Sequence, residues 1–327
     1  MLFPVERLAE PPPKGIARLA AEAAELRAKD AVEYFELSAR GVLNRCSSAR
    51  MPFEWTINPY RGCEFGCRYC YARYTHEFMG LEDGRDFEGK IYVKRDAARI
   101  LAAELRKRPA GAIAIGTATD PYQPAERRFE VTRSLLQVLA SEAGRSISIV
   151  TKSDLIVRDV EPLRAVARRN RLTVAVTVTT VDVGLARKLE PRAPRPDLRL
   201  RAVEALTRAG LDAGVLANPV MPFLTDSAEN LGATAAAAAR AGARFFGGGS
   251  LFLMPSARRQ FFPFLEAEFP EAAARCRELY RDNAYLRGPY TQRIRERVQA
   301  AATEHGLPPR PPRREPPTFQ RPLPLFD

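Results

Sequence analysis

The chain has 327 residues, 46% of them hydrophobic and 28% charged, and carries a formal charge of +12. At this length folding can bury roughly three-quarters of the extended chain's surface, which excludes a disordered tail protein and a disulfide-stapled miniprotein. Arginine supplies 44 of the 51 basic residues, a bias that base composition explains as readily as a polyanionic ligand does, so charge alone assigns no partner.

In chain order, residues 1–50 read as an N-terminal extension, Pro-rich and then helical. The opening, from Met1 to Pro13, has acidic residues and prolines where a signal peptide needs a basic region and an apolar run. No stretch approaches the ~20 apolar residues of a membrane span. A soluble, cytoplasmic protein with no membrane partner is the expectation. Ile16, Leu19, Ala23 and Leu26 recur at helical spacing and predict one amphipathic helix. Residues 53–59 read as a short strand ending in a turn.

From there to about residue 250, strands and helices alternate. Strands are expected over 111–116, 146–151, 172–180, 212–217 and 244–248. Helices are expected over 129–140 and 158–169, then from Asp197 as cap to a stop at Gly210, and from an Asp226/Glu229 capping box to Gly242. Five or six such repeats argue for a parallel sheet with crossover helices. The first strand has no Gly-x-Gly-x-x-Gly after it, so an open dinucleotide-binding sheet loses support. The expected fold is an α/β partial (β/α)6 TIM-type barrel over 51–255. Its site would lie at the strands' C-terminal ends, where Thr119-Asp120, Thr151-Lys152, Thr177 to Thr180, Asn218-Pro219 and Gly247 to Gly249 fall. Residues 256–305 should form C-terminal helices, and 306–327 a loose Pro-rich tail.

Five cysteines are present, three of them in Arg-Gly-Cys63-Glu-Phe-Gly-Cys67-Arg-Tyr-Cys70-Tyr. Disulfides explain such a grouping poorly in a cytoplasmic chain, whereas thiolates gain by sharing a metal. Zinc would want a fourth ligand, for which Cys46 and His76 are available, though at unusual spacing. An iron–sulfur cluster with three cysteine ligands leaves one iron open, unlike a four-cysteine electron carrier.

Cys-x3-Cys-x2-Cys with the aromatic Tyr69 before the third cysteine resembles the signature of radical S-adenosylmethionine (SAM) enzymes. Around it, Asn58-Pro59-Tyr60-Arg61-Gly62, Tyr71-Ala72-Arg73 and Thr75-His76 resemble the spore photoproduct lyase-like branch, also called "DNA repair photolyase"-like. So do Thr119-Asp120-Pro121-Tyr122-Gln123-Pro124, Thr151-Lys152-Ser153 and Leu189-Glu190-Pro191-Arg192-Ala193. The resemblance runs from about residue 40 to residue 290. It departs at Phe65, where these relatives usually carry histidine, a position that holds no metal.

The resemblance implies a [4Fe–4S] cluster on Cys63, Cys67 and Cys70, reductive cleavage of SAM, and abstraction of a substrate hydrogen by the 5′-deoxyadenosyl radical. It implies cofactor contacts at Tyr69, Thr119, Lys152 and, more loosely, Asp120, Thr177, Thr179 and Asn218. A lysine at a buried strand end needs an anion, and the methionine carboxylate is one. Asp120 suits a ribose or an Asp-Pro turn equally; Thr177 and Thr179 suit a barrel lining or plain β-propensity. An external one-electron reductant of flavodoxin or ferredoxin type is implied, and DNA or RNA is a possible substrate. The competing expectation is a non-catalytic zinc or Fe–S protein that binds nucleic acid. Thr117 stands where the lyase has a hydrogen-donating cysteine, and Cys46 and Cys276 read as ordinary small hydrophobes. Tyr122, Tyr60, Trp55 and the aromatic run at Phe261, Phe262 and Phe264 could stack on a base but read better as core. The run from Arg293 to Arg297 reads as a solvated helix face. Oligomeric state has no signal in the sequence.

Overall fold

The computed structural model describes residues 14–29, 32–48, 51–81, 83–107 and 109–309. The chain opens with α1 (Gly15–Ala21), then β1 (Glu25–Lys29), β2 (Val32–Glu36), β3 (Leu43–Arg45), β4 (Trp55–Ile57) and β5 (Tyr60–Arg61). After the cysteine loop come a 3₁₀ turn (Tyr71–Arg73), α2 (Tyr74–Glu77), α3 (Asp86–Gly89), β6 (Lys90–Val93), α4 (Ala97–Leu105) and β7 (Ile113–Ile115). Next are α5 (Glu126–Phe129), α6 (Val131–Ser141), β8 (Ser146–Thr151), a 3₁₀ helix (Asp154–Asp159), α7 (Val160–Arg169) and β9 (Arg171–Thr177). The described chain closes with α8 (Val183–Leu189), α9 (Pro196–Arg208), β10 (Asp212–Leu216), α10 (Ala228–Arg240), β11 (Phe246–Gly247), α11 (Pro255–Glu268), α12 (Pro270–Leu279) and α13 (Pro289–Glu304).

Seven strands form the main sheet, in the order β3-β4-β7-β8-β9-β10-β11. Every pairing from β4 to β11 is parallel, and β3 adds an antiparallel edge on β4. Strand order thus rises along the chain with no reversal. A doubly wound sheet reverses at a switch point. With right-handed crossovers at each step, an unreversed order lays the helices on one face and curls the sheet. This is the partial six-stranded barrel expected. Its central strand, β9, is buried from Leu172 to Thr177, as a strand covered on both faces should be. α4 packs on α6, and α6 on α7. At the far edge Phe246 donates its N–H to Pro308 O at 3.0 Å and bridges to Pro309. A second sheet, β1-β2-β6-β5, lies beside the barrel's start, so residues 32–45 contribute strands to both sheets.

Several expectations need correction. The N-terminal helix stops at Ala21; Leu26 lies in β1, because pairing with β2 overrides a helical periodicity that is only a weak preference. The helix expected over 129–140 is α6, which starts at Val131 because Glu130, at φ +48°, separates it from the short α5. The buried Glu126 carboxylate accepts the N–H groups of Thr132 (2.9 Å) and Arg133 (3.1 Å) and so caps α6. α9 starts on Pro196, with Arg195 as N-cap; Asp197 sits in its first turn and pairs with Arg195 and Arg201. Ser227, not Asp226, caps α10 through the Asn230 N–H at 3.1 Å. Asp226 instead accepts from Phe223 N–H and the Tyr290 hydroxyl, tying α13 down. β9 ends at Thr177, and β11 is only two residues long. Residues 310–327, expected to be loose, lie outside the described residues. No helix among the described residues is long and apolar enough to cross a membrane.

Candidate functional site

The loop carrying Cys63, Cys67 and Cys70 leaves β5 through Gly62, whose φ is +82°. A Cβ there would lie 2.8 Å from the carbonyls of Lys90 and Phe87, so only glycine passes. The loop is then pinned from several sides. Arg68 N–H donates to Leu189 O at 3.0 Å, and Arg192 N–H donates back to Phe65 O at 3.2 Å. Glu64 N–H donates to Gln123 Oε1 at 3.0 Å, while Gln123 Nε2 donates to Gly62 O and to Thr119 Oγ1. Buried Arg73 pairs with Glu88 at 3.0 Å and donates to Cys67 O at 3.1 Å. Segments following β7 and β9 therefore hold the loop at the C-terminal end of the barrel strands.

A buried polar network backs the loop. The Tyr69 hydroxyl donates to Glu190, whose carboxylate also accepts from Thr179 Oγ1 at 3.3 Å and pairs with Arg199 at 2.5 Å. Burial would raise the Glu190 carboxyl, but Arg199 and Lys152 outweigh it and hold it below its ordinary value. Burial, with the Glu190 charge added, pushes the Tyr69 phenol well up. Lys152 Nζ lies 5.7 Å from the Tyr69 ring centre. Its backbone N–H donates to Asp120 Oδ2 at 2.7 Å, and Asp120 Oδ1 accepts from Thr151 Oγ1 (2.6 Å) and Tyr122 N–H (2.9 Å).

The structure thus brings Tyr69, Thr119, Asp120, Lys152 and Thr179 around the cysteine loop. Thr119 spends its hydroxyl on Gly62 O at 2.6 Å, and Asp120 joins the ends of two strands and starts the turn at Pro121. Thr179 does not share a strand with Thr177, because β9 has ended; it turns to Glu190. Thr177 closes β9, and its carbonyl accepts from Arg199 at 3.2 Å. Asn218 stands at the end of β10 and accepts from Gly249 N–H at 2.6 Å, further along the barrel rim. Thr117 shares hydrogen bonds with Asn58, and its carbonyl accepts from the Tyr71 hydroxyl. Tyr122 is wholly buried and belongs to the core, as do Phe261 and Phe262. Sequence reasoning missed Glu190, Arg199, Gln123, Asn58 and Tyr71 as parts of the site. Glu190, Gln123, Asn58 and Tyr71 sit inside stretches that carried the resemblance, which was the available signal.

The fit of the loop to a metal group follows from its donors. The three thiols are free; Cys63 and Cys67 are buried and Cys70 half-buried. Burial pushes all three up, Cys67 to about 12, so they give up protons only to a cation that takes their charge. Among the described residues no group of three His, Cys, Asp or Glu side chains could hold a single ion as placed. His76, considered as a fourth zinc ligand, is buried between Phe87 and Tyr92 with Nε2 on Lys90 O at 3.0 Å. Cys46 hydrogen-bonds through its backbone to Glu54 beside β3 and β4. Three thiols spread along a dry loop, with no fourth ligand engaged, fit an iron–sulfur cluster that keeps one iron open.

The radical SAM superfamily model matches residues 57–233, more than half of the chain. The chain belongs to the radical SAM superfamily. An uncharacterized protein of Mycobacterium tuberculosis is 39% identical to this radical SAM protein over 285 residues, covering 85% of this chain and 82% of that one. An uncharacterized protein of Methanocaldococcus jannaschii is 26% identical over 242 residues, covering 74% and 85%. Among solved structures, a spore photoproduct lyase variant with bound AdoMet and dinucleoside spore photoproduct superposes with a TM-score of 0.64. It is 14% identical, and the match covers 83% of this chain and 79% of that chain; at that identity the likeness is one of fold. Membership of this family supports an enzyme.

Proposed function

We propose that this radical SAM enzyme holds a [4Fe–4S] cluster on Cys63, Cys67 and Cys70 and binds SAM at the open iron. The observation that carries the reading is the docking of the three-cysteine loop onto the barrel's C-terminal end by the paired Arg68–Leu189 and Phe65–Arg192 hydrogen bonds. The chemistry supplied by such a group is one-electron cleavage of SAM, giving a 5′-deoxyadenosyl radical that abstracts a substrate hydrogen. The protein's own part is placement and dryness, since that radical attacks any nearby C–H bond. Lys152 offers the SAM carboxylate its positive charge, and Tyr69 walls the pocket on Glu190. Asp120, with three donors already aimed at it, orients the strand ends; Thr177 and Asn218 lie at the ends of the next two strands, toward the nucleoside. A flavodoxin- or ferredoxin-type protein supplies the electron, and a reducing cytoplasm suits the cluster and the free thiols.

For substrate we propose nucleic acid, supported by the charge of +12 and by the fold shared with a lyase solved with a dinucleoside lesion. Anaerobically purified protein should be brown with about four irons per chain, and Cys67→Ala should remove the colour. Reduction with dithionite and SAM should release 5′-deoxyadenosine. One tight zinc and no iron would instead favour a metal-stabilised nucleic-acid-binding module; iron without 5′-deoxyadenosine would mark a scaffold that lost its chemistry.

A further inference from the structure

Apart from the cysteine site, a cavity of about 500 Å³ opens between α1, the 37–44 segment and the start of the cysteine loop. Five cations line it, Lys14, Arg18, Arg40, Arg61 and Lys94, and no carboxylate does. Of these, only Arg18 has an ion-pair partner among the described residues, the exposed Glu22 one helical turn away. Lys94 is 6% exposed and spends one of its three donors, on Asn58 O at 2.8 Å. Arg61 is half-buried, and its Nε has no hydrogen-bond partner among the described residues. Lys94 and Arg61 sit partly or wholly out of water beside one another, and burial together with Arg61 pulls the Lys94 ammonium down to about 7. An anion entering the pocket would relieve that cost and hold the proton on Lys94.

We propose that this pocket binds a phosphate group, carried by a nucleic-acid backbone or by a free phosphorylated small molecule. The charge and donor inventory selects phosphate over a carboxylate. One guanidinium fork saturates a planar monoanion, whereas three arginines and two lysines present many more donors than two oxygens can accept. The cavity lies within the ~300–1,000 Å³ of small-ligand sites. It is a concavity that a phosphate enters, unlike a flat face suited to an acidic electron carrier. Ile16, Leu19 and Leu37 give it an apolar wall, against which a sugar or base can lie. Its location links it to the barrel. Lys94 holds the carbonyl of Asn58, whose side chain holds Thr117 Oγ1 and the Ala118 N–H beyond β7. Arg61 directly precedes Gly62 and Cys63.

The test needs neither reductant nor SAM, so its failure leaves the radical SAM reading untouched. Binding of a fluorescein-labelled single-stranded 12-mer DNA, of dTMP and of thymidine is measured at low and moderate salt. Thymidine should not bind, and whatever phosphate probe binds should weaken as salt rises. Tight 12-mer binding with weak dTMP binding assigns the site to a nucleic-acid backbone; dTMP binding of similar strength assigns it to a free phosphorylated molecule. Because Lys94→Met could unfold the chain, it is paired with the exposed double variant Arg18→Ala/Arg40→Ala. Each should weaken binding roughly tenfold or more, while Arg208→Ala/Arg240→Ala, two cations outside the pocket, should leave it unchanged. Equal losses at both arginine pairs, no loss at the pocket, or no binding of either phosphate probe would overturn the proposal.

Discussion

The Tyr69 hydroxyl, inside the cysteine loop, donates to the carboxylate of Glu190, 121 residues further along the chain. Glu190 in turn neutralises Arg199, and side-chain exposure is 0% for the glutamate and 1% for the arginine. The loop's aromatic residue is thus anchored to a buried charge pair.

Removing one partner of such a pair strands the other. Glu190→Ala leaves Arg199 as an uncompensated buried cation and should cost about 3–5 kcal/mol. Glu190→Gln keeps an acceptor for Tyr69 and should lose less. Urea unfolding of the three proteins checks this, and wild-type stability in Glu190→Ala would show that the pair is not holding the site.

Two glycines with similar backbone angles separate strain from crowding. Gly80, at φ +75°, has open space where a Cβ would stand; Gly62, at +82°, has two carbonyls at 2.8 Å. Gly80→Ala should cost about 1–2 kcal/mol, the left-handed penalty alone. Gly62→Ala should cost that plus roughly 1–3 kcal/mol of overpacking, and should lower iron content per folded chain. Equal losses would mean that the carbonyls of Lys90 and Phe87 move aside freely.

His76 sets a pH dependence. Burial pulls it from its ordinary 6.5 to about 4. Between those values the unfolded chain binds the proton and the folded chain does not. Stability therefore falls as pH drops from 6.5 toward 4, by about 3 kcal/mol across the window. His76→Gln, which can still donate to Lys90 O, should flatten that part of the profile. An unchanged slope in the variant would place the titration elsewhere.

Thr117 stands where the resemblance expects a hydrogen-donating cysteine. A threonine O–H bond is too strong to return hydrogen readily. The reduced protein should therefore fail to restore thymines from a synthetic thymine–thymine photolesion over many turnovers. Recovery of hydrogen from 5′-deoxyadenosine would be the remaining route. Sustained repair that Tyr71→Phe abolishes would put the donor on Tyr71, whose hydroxyl rests on Thr117 O, and not on Tyr122, which is sealed in the core.

Local signals were legible and long-range ones were not. β8 runs over 146–151 as expected, because β-branched residues lie between clear turn signals. Cys63, Cys67 and Cys70 announce themselves by spacing alone. The N-caps of α9 and α10 fall at Arg195 and Ser227, not at Asp197 and Asp226, because Pro196 takes the first helical position and serine competes with aspartate for the cap. From sequence, Asp120 suits a ribose or an Asp-Pro turn equally; in the structure its carboxylate accepts from Thr151, Lys152 and Tyr122, while Thr119 donates to Gly62 O. That choice depends on which strand ends meet, a property of register and crossover that no short window contains. Glu190 lies in a stretch that carried the resemblance, but its partner Arg199 could not be found from sequence, because only the fold brings α9 against it.

The bridge from Phe246 to Pro309 bears on how the molecule avoids its own kind. An exposed parallel edge is a template on which another chain can add a strand. Here the edge strand hands its N–H to Pro308 O, and the covering residues, Pro308 and Pro309, have no N–H to offer outward. The sheet is terminated by a segment that can receive a hydrogen bond but cannot pass one on, so substituting both prolines by alanine should make the protein more prone to self-association while leaving the cysteine loop in place.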